Sequence, residues 1–352
     1  MARIDGDARY RSTRRPVRGM VWAMQLPLSV LDLSPVGVDV APSQAVRDSI
    51  ELARTADALG YTRYWFAEHH NMANIATSAP EVLIAHAAAV TARIRLGAGG
   101  IMIPNHAPLH VVEVFRTLEA LHPGRIDLGL GRAPGTDPVT AAALQRSEVP
   151  EVNQKLAELL AFERGEFPAG HPFSKIVAMP SDAPARSIWM LGSTLAGASI
   201  AAQLGMPYAF AGHFAMRQAA EAIAHYRARF EPSEARSAPY AVLAVTAVCA
   251  DTDEEAQRMA APIRVAIVKN RTGRRAPICS IEEALAYEFT PEERAIADDF
   301  LTGAAIGSPR TVADRLHALA RDTGANELML SSLVPDLAAR KHALARIAAA
   351  MA

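Results

Sequence analysis

The sequence predicts an α/β protein built as a closed (β/α)8 barrel, with an insertion between its seventh and eighth strands. Three observations lead to this fold. From residue 24 onward, short apolar segments alternate with helical segments eight times, and parallel neighbouring strands need such helical crossovers. The units show no switch in strand order, which favours a closed barrel over an open doubly wound sheet. The length of 352 residues suits a single barrel domain.

The strands are predicted from short apolar runs bounded by proline, glycine or polar residues. They cover residues 26–36, 62–70, 94–108, 125–135, 187–194, 206–214, 240–250 and 326–333. The helices are predicted from apolar residues spaced three and four apart, with glycine or proline near their ends. They cover residues 43–59, 79–93, 111–121, 151–164, 196–205, 253–269, 291–301 and 336–351. The segment 251–308 is too long for one crossover, so it is predicted as an insertion that carries the basic loop 269–278.

Residues 24–352 are expected to form one domain, preceded by a basic arm over residues 1–23. The arm has six arginines but no apolar stretch, so it is not a secretory signal. It is expected to be disordered, or to lie upstream of a start at Met20 or Met24. No apolar run reaches the roughly 18 residues of a membrane-spanning helix.

Charge and cysteine content exclude several classes of protein. The balance of 36 basic and 37 acidic residues leaves no excess charge for nucleic acid or an anionic membrane surface. Cys249 and Cys279 are the only cysteines, too few for a disulfide framework or a thiolate metal site. Reduced thiols in a cytoplasmic protein are therefore expected.

Polar side chains collect where the predicted strands end. In a parallel barrel these ends form one rim, and catalytic residues lie on its loops. The rim residues are Asp32, Ser34, Glu68, His69, His70, Asn105, His106, Arg132, Ser193, Thr194 and His213. Their convergence predicts a functional site at this rim.

Two adjacent histidines follow the second strand. Because neighbouring residues of a strand point to opposite faces, only one of His69 and His70 is expected to face the cavity. A zinc site is not predicted, since the His-x-His pair and further ligands that hydrolase barrels use are absent. Two interpretations stay open: a pair that holds the loop, and an imidazole that acts as a general acid or base near neutral pH.

Three other rim segments suit a flat, anionic ligand. The guanidinium of Arg132 can bind phosphate through two parallel hydrogen bonds; a surface salt bridge is the alternative. Ser193 or Thr194 can cap the next helix, whose first amide groups attract an anion, although a plain cap is equally common. Gly99 and Gly100 indicate either a simple bulge or a flat ligand pressed against the backbone.

Four motifs occur in one order along the chain: RYWFAEHHN (63–71), GAGGIMIPNHAPL (97–109), PGRIDLGLGRAPGTD (123–137) and WMLGSTLAGASIAAQLGMPYAFAGHF (189–214). Together they resemble the bacterial luciferase-like, flavin-dependent monooxygenases. More narrowly, they resemble the single-chain members that are not known to emit light. The resemblance extends from about residue 26 to residue 350.

The resemblance implies a TIM barrel that uses reduced FMN, with dioxygen as co-substrate. It implies that His69 is the active-site histidine that assists the oxygen chemistry of the flavin. It also implies that Arg132 and Ser193 bind the FMN phosphate, and that a cis peptide at Gly99–Gly100 lies beneath the isoalloxazine ring. The basic loop 269–278 falls where the family has a mobile lid.

Further residues are placed around these by the same resemblance. Thr194, Leu195 and Ala196 occupy the anion-binding turn that contains Ser193. Glu68 and His70 are expected to hold the loop that presents His69, and no metal is expected.

The expected activity is that of an oxidoreductase that incorporates molecular oxygen into a small organic substrate, such as an aldehyde or a ketone. A separate flavin reductase would supply the reduced FMN, and the family commonly forms homodimers. Two alternatives remain: a deazaflavin (F420)-dependent hydride-transfer enzyme, and a flavin-binding protein without turnover. Light-emitting members carry a reactive cysteine directly before the phosphate-binding arginine. This chain has Gly131 there, which argues against light emission but not against flavin binding.

Overall fold

The computed structural model describes residues 26–133, 135–144 and 149–352. Its strands, in chain order, are β1 (Leu28–Asp32), β2 (Arg63–Phe66), β3 (Arg95–Ala98), β4 (Ile101–Met102), β5 (Ile126–Gly131), β6 (Ile188–Gly192), β7 (Tyr208–Phe210), β8 (Ala241–Cys249), β9 (Ala305–Gly307) and β10 (Glu327–Ser331). All pairings between them are parallel.

Eight strand positions close into a barrel, in the order β1, β2, β3, β5, β6, β7, β8 and β10, with β10 paired back to β1. Strand β4 continues the β3 position and pairs with β5. Strand β9 lies outside the barrel and pairs with the last part of β8. The predicted (β/α)8 TIM barrel with an insertion between its seventh and eighth strands is therefore confirmed.

Helices surround the barrel and connect its strands. They are α1 (Pro42–Ala58), α2 (Pro80–Val90), α3 (Pro108–Leu121), α4 (Pro138–Ala143), α5 (Val149–Arg164), α6 (Leu195–Gln203), α7 (Gly212–Ala215), α8 (Ala219–Ala228), α9 (Asp253–Arg271), α10 (Ile281–Leu285), α11 (Pro291–Phe300), α12 (Pro309–Thr323) and α13 (Leu337–Met351). Short 3-10 turns cover Ile103–Asn105 and Met216–Gln218. No helix in the described part of the chain is long and apolar enough to cross a membrane.

The hydrophobic core of the barrel has two layers, because side chains alternate across each strand. One layer fills the inside of the barrel, where the rings of Trp65 and Trp189 meet edge to face at 5.2 Å. The larger layer lies between the barrel and its helices and includes Tyr64, Phe66 and Phe210. A third, smaller cluster packs the insertion against β8 and includes Val248 and Ile263. The barrel is thus a packed core, and its loops are left to form the site.

Most of the predicted strands are shorter in the structure; the second ends at Phe66, so His69 and His70 lie in the loop after it. The sixth and third strands are corrected further. Residues 211–214 were predicted as part of the sixth strand, but α7 begins at Gly212. A Cβ atom at Gly212 would lie 2.7 Å from the Ala244 carbonyl oxygen, so the chain bends closely over β8 at this point. The third strand is interrupted at Gly99–Gly100 and ends at Met102. A 3-10 turn follows it, and α3 begins at Pro108 rather than at residue 111.

The insertion between β8 and β10 contains α9, α10, α11 and β9. Helix α9 continues to Arg271, so the first residues of the predicted basic loop are helical. Helices α4, α7, α8, α10 and α12 were not predicted. The expectation of a disordered arm over residues 1–23 falls outside the described residues.

Candidate active site

The carboxylate of Glu68 is the centre of the rim on the β2 side. Glu68 is fully buried, and it accepts hydrogen bonds from the Met102 amide at 2.8 Å and from Asn105 Nδ2 at 3.2 Å. His70 Nε2 lies 2.9 Å and His106 Nε2 3.0 Å from its oxygens. Glu68 therefore joins the loop after β2 to the loop after β4.

The ionisation of this cluster follows from its contacts. Burial favours the neutral acid, but hydrogen bonds from His106, Met102 and His70 hold the pKa of Glu68 below its usual value. Burial opposes the charge on His106, yet the bond to Glu68 raises the pKa of that imidazole. The pair thus favours a carboxylate beside an imidazolium.

His69 points away from this cluster. Its amide donates to the Thr77 carbonyl at 2.8 Å, and its side chain lines a cleft at the barrel mouth. Its Nδ1 is shielded from solvent and has no hydrogen-bond partner among the described residues. Burial lowers the pKa of His69 to about 4; the charge of Glu68 opposes this shift and that of His70 adds to it. His69 is consequently an uncharged imidazole at neutral pH.

Arg132 follows β5, which lies three strand positions from β1 around the barrel. Its Nε is buried and lacks a partner within the described ranges. The Tyr208 hydroxyl donates to the Thr194 carbonyl at 3.3 Å. Burial raises the pKa of Tyr208, and the charge of Arg132 opposes that effect, so Arg132 lies within electrostatic range of the start of α6.

The start of α6 leaves its first amide groups available. Thr194 is the N-cap residue, and in the described structure its side chain makes no capping hydrogen bond. Ser193, Leu195 and Ala196 flank it in the same turn. The first amide groups of a helix have no partner within the helix, and they attract anions. Thr194 therefore occupies the predicted N-cap position, but its side chain does not cap the helix.

The peptide Gly99–Gly100 is cis, as the resemblance implies. A Cβ atom at Gly99 would lie 2.6 Å from Leu31 Cδ1, and one at Gly100 would lie 2.8 Å from the Gly129 carbonyl oxygen. Backbone atoms thus exclude a side chain at Gly100, whereas one at Gly99 would require the Leu31 side chain to shift. Bare backbone lies between β2 and β5 at this point.

The cleft beside His69 has a volume of about 630 Å³. Most of its lining is apolar and comes from the start of α1 and the loop after β2. The lining residues are Pro42, Ser43, Val46, His69, Asn71, Met72, Ala73, Ile75, Ala76, Ser78 and Arg275. Its size and composition suit a small organic molecule.

Three segments meet over this cleft in an arrangement that was not predicted. Asp137 Oδ2 accepts from Arg275 Nη1 at 2.8 Å and from Asn71 Nδ2 at 2.9 Å. Arg275 also donates to the Asn71 carbonyl at 3.0 Å. We call Asn71, Asp137 and Arg275 the clasp. Asp137 precedes Pro138 and caps α4, which is a signal visible in the sequence, but its second role needs the tertiary structure.

Comparison with known proteins decides the family. The family model described as luciferase-like monooxygenase matches residues 26–327. The chain belongs to this family. It is 38% identical over 320 residues to a luciferase-like monooxygenase of Escherichia coli strain K12, covering 90% of this chain and 94% of that protein. It is 34% identical to the N-acetyl-S-alkylcysteine monooxygenase of Bacillus subtilis strain 168, covering 86% and 91%.

Several solved structures share the fold. The crystal structure of apo-MsnO8 has a TM-score of 0.83 and 37% identity, covering 92% of this chain and 98% of that one. At 20% identity and a TM-score of 0.66, the oxygenating constituent of a Pseudomonas putida 3,6-diketocamphane monooxygenase, solved with FMN, shares the fold alone. The same holds for an F420-dependent secondary alcohol dehydrogenase at 13% identity and a TM-score of 0.63. The proteins that share this fold thus include one solved with FMN and one solved with an F420–acetone adduct.

The residues of this luciferase-like chain fit such a cofactor. The unpartnered Arg132 Nε and the free amide groups of α6 suit a phosphate, and the bare Gly99–Gly100 backbone suits a flat ring. Among the described residues, no group of three or more His, Cys, Asp or Glu side chains could hold a metal ion. The structure thus places His69, Gly99–Gly100, Arg132 and the start of α6 at the same end of the barrel. Glu68 and His70 lie next to His69 in its loop.

Proposed function

We propose that this luciferase-like protein is an FMN-dependent monooxygenase. It receives FMNH2 from a separate flavin reductase and uses dioxygen to oxidise a small organic substrate. The observation that supports FMN most directly is the buried, unpartnered Nε of Arg132 beside the uncapped start of α6.

Arg132 and the α6 amide groups would bind the FMN phosphate. A guanidinium and a helix N-terminus both stabilise a doubly charged oxyanion. Ser193 and Thr194 would add hydroxyl groups, while Leu195 and Ala196 would contribute the turn that presents the amides. The bare backbone of Gly99–Gly100 would support the ring.

Bound reduced flavin supplies the electrons that activate dioxygen. His69 holds or accepts a proton at its unpartnered Nδ1, because its ring is uncharged at neutral pH. Glu68 and His70 hold the loop that orients His69. The packed barrel beneath the site restricts the access of water.

The cleft beside His69 would hold the substrate. Its mainly apolar lining suits a small aldehyde, ketone or thioether, and the related N-acetyl-S-alkylcysteine monooxygenase supports including thioethers. A homodimer, as expected for the family, is part of the proposal.

Anaerobic titration of the purified protein with FMN, FMNH2 and F420 tests the cofactor. We expect FMNH2 to bind most tightly. We expect Arg132→Ala to weaken its binding by at least about 30-fold, or about 2 kcal/mol, because the phosphate loses its charged partner. Arg132→Lys is the matched control, because it keeps the charge but loses the parallel hydrogen bonds. Its affinity for FMNH2 should lie between that of the wild type and that of Arg132→Ala.

A substrate screen with regenerated FMNH2 and oxygen-18 dioxygen tests the reaction. The label is expected in the product. A strong preference for F420, or binding of FMNH2 without any labelled product, would contradict the monooxygenase proposal.

A further inference from the structure

His213 is a rim residue that the proposed function does not use. It lies three residues beyond the end of β7, and His69 lies three residues beyond the end of β2. Around the closed barrel, β2 and β7 are four strand positions apart, which places them on opposite sides. The loops that carry the two imidazoles therefore face each other across the mouth.

The polypeptide around His213 holds the ring in place. Gly212 lies against β8, where a Cβ atom would be 2.6 Å from Leu243 Cδ1. The Thr246 hydroxyl donates to the His213 carbonyl at 3.4 Å. The Phe214 ring packs edge to face on the imidazole with their centroids 4.7 Å apart. The ring is thus positioned by packing.

Both rings carry an unpaired nitrogen. The Nδ1 atoms of His69 and His213 are shielded from solvent, and neither has a hydrogen-bond partner in the part of the chain that the structure describes. Buried polar side-chain atoms in folded proteins are usually paired, with protein groups or ordered water. The two unpaired nitrogens are therefore free to bind a polar group at the mouth.

The two rings also share an electrostatic environment. Burial, followed by the charge of His69, lowers the pKa of His213 to about 3. His69 shares its own loop with Glu68 and His70, whose charges act on the pKa of His69 in opposite directions. Both imidazoles are therefore uncharged at neutral pH, and each has one N–H donor and one acceptor nitrogen.

We propose that His213 is a second catalytic imidazole, which binds together with His69 an O–H group of the molecule held in the barrel mouth. One ring accepts a hydrogen bond from that group while the other donates one to it. A hydroxyl-type group fits because it both donates and accepts. This inference rests on the proposed function, which supplies the molecule in the mouth.

The first test uses the unloaded wild-type protein labelled with nitrogen-15 histidine. We expect the His213 imidazole to stay uncharged in NMR spectra from pH 8 to pH 5. A His213 that titrates near pH 6.5 in the wild type would overturn the inference.

The second test compares His213→Gln with the control His342→Gln, which changes an exposed histidine of α13. We expect His213→Gln to lower kcat at least tenfold while the Kd for FMNH2 changes less than threefold and Tm is retained. Full activity in His213→Gln would overturn the inference and leave the proposed function intact. If the wild type does not bind FMNH2, the proposed function fails, and the titration of the unloaded protein still shows whether His213 is an uncharged imidazole.

Discussion

Glu68 shows how a single buried charge can organise an active-site loop. Its pKa is lowered and that of His106 is raised, so each partner stabilises the charged form of the other. A carboxylate with a lowered pKa adds stability above its unfolded pKa and loses it as the pH falls through the folded pKa. An imidazole with a raised pKa adds stability below its unfolded pKa of 6.5 and loses it as the pH rises through the folded pKa.

His106→Asn should therefore destabilise the protein more at pH 5.5 than at pH 8.5. We expect a loss of about 1–3 kcal/mol at pH 5.5, typical of a hydrogen bond to a buried charge. Urea unfolding at the two pH values measures it. The control is His342→Asn, at an exposed position. Its unfolding free energy should be within about 0.5 kcal/mol of the wild-type value at both pH values. A loss that does not change with pH would contradict this linkage.

His69 should work in its neutral form. With a pKa of about 4, its ring has no reason to change charge between pH 5.5 and pH 8. We expect His69→Gln to lower kcat by about 10²-fold or more, the usual contribution of a general acid or base, with FMNH2 affinity nearly unchanged. The wild-type kcat/KM should therefore not change between pH 5.5 and pH 8 through the ionisation of His69. A change centred near pH 6.5 that disappears in His69→Gln would contradict a role for the neutral imidazole.

At the scale of elements, the strands were predictable because each is a short apolar run at a regular distance from the next. The residues of the rim could then be predicted, because the C-terminal ends of parallel strands lie at the same end of a barrel. Helices α8 and α12 were missed because no pattern was identified between the sixth and seventh strands or directly before the eighth. The end of the sixth strand was wrong because the apolar run continues through Phe214, while the contact of Gly212 with β8 is a tertiary effect.

The clasp is an element-scale feature, because it joins three loops that are far apart in sequence. Asp137→Asn removes the charge that holds Arg275 but keeps an oxygen that can cap α4. We expect trypsin to cleave the segment 269–278 about two- to fivefold faster in this variant, as for an exposed ion pair. Timed digestion followed by mass spectrometry measures the rate. Asp322→Asn, at an exposed position on α12, is the control; equal rates in all three proteins would show that the clasp does not hold the segment.

Across the whole molecule, the two ends of the barrel have different tasks. The candidate site occupies the C-terminal ends of the strands, whereas a buried ionic network lies at their N-terminal ends. There Arg63 Nε donates to Glu327 at 2.7 Å and its Nη1 to Asp127 at 2.8 Å. Asp127 also accepts from Arg95 Nη2 at 2.6 Å and from Trp65 Nε1 at 3.0 Å. The network ties β2, β3, β5 and β10 together inside the barrel.

This division of the barrel predicts a stability change without a change at the site. Arg63→Met should destabilise the fold by about 3–5 kcal/mol, because it leaves two buried carboxylates without their shared partner. Burial favours the neutral form of Asp127, but Arg63 and Arg95 lower its pKa. Removing Arg63 should raise the pKa of Asp127, so that ionisation of this buried carboxyl group destabilises the fold. The loss of unfolding free energy should thus be larger at pH 7 than at pH 4, as measured by denaturant unfolding.

The control for this prediction is Arg47→Met, at an exposed position on α1. Folded Arg63→Met should still bind FMNH2 with the wild-type Kd; a weakened Kd would mean that the two ends of the barrel are coupled.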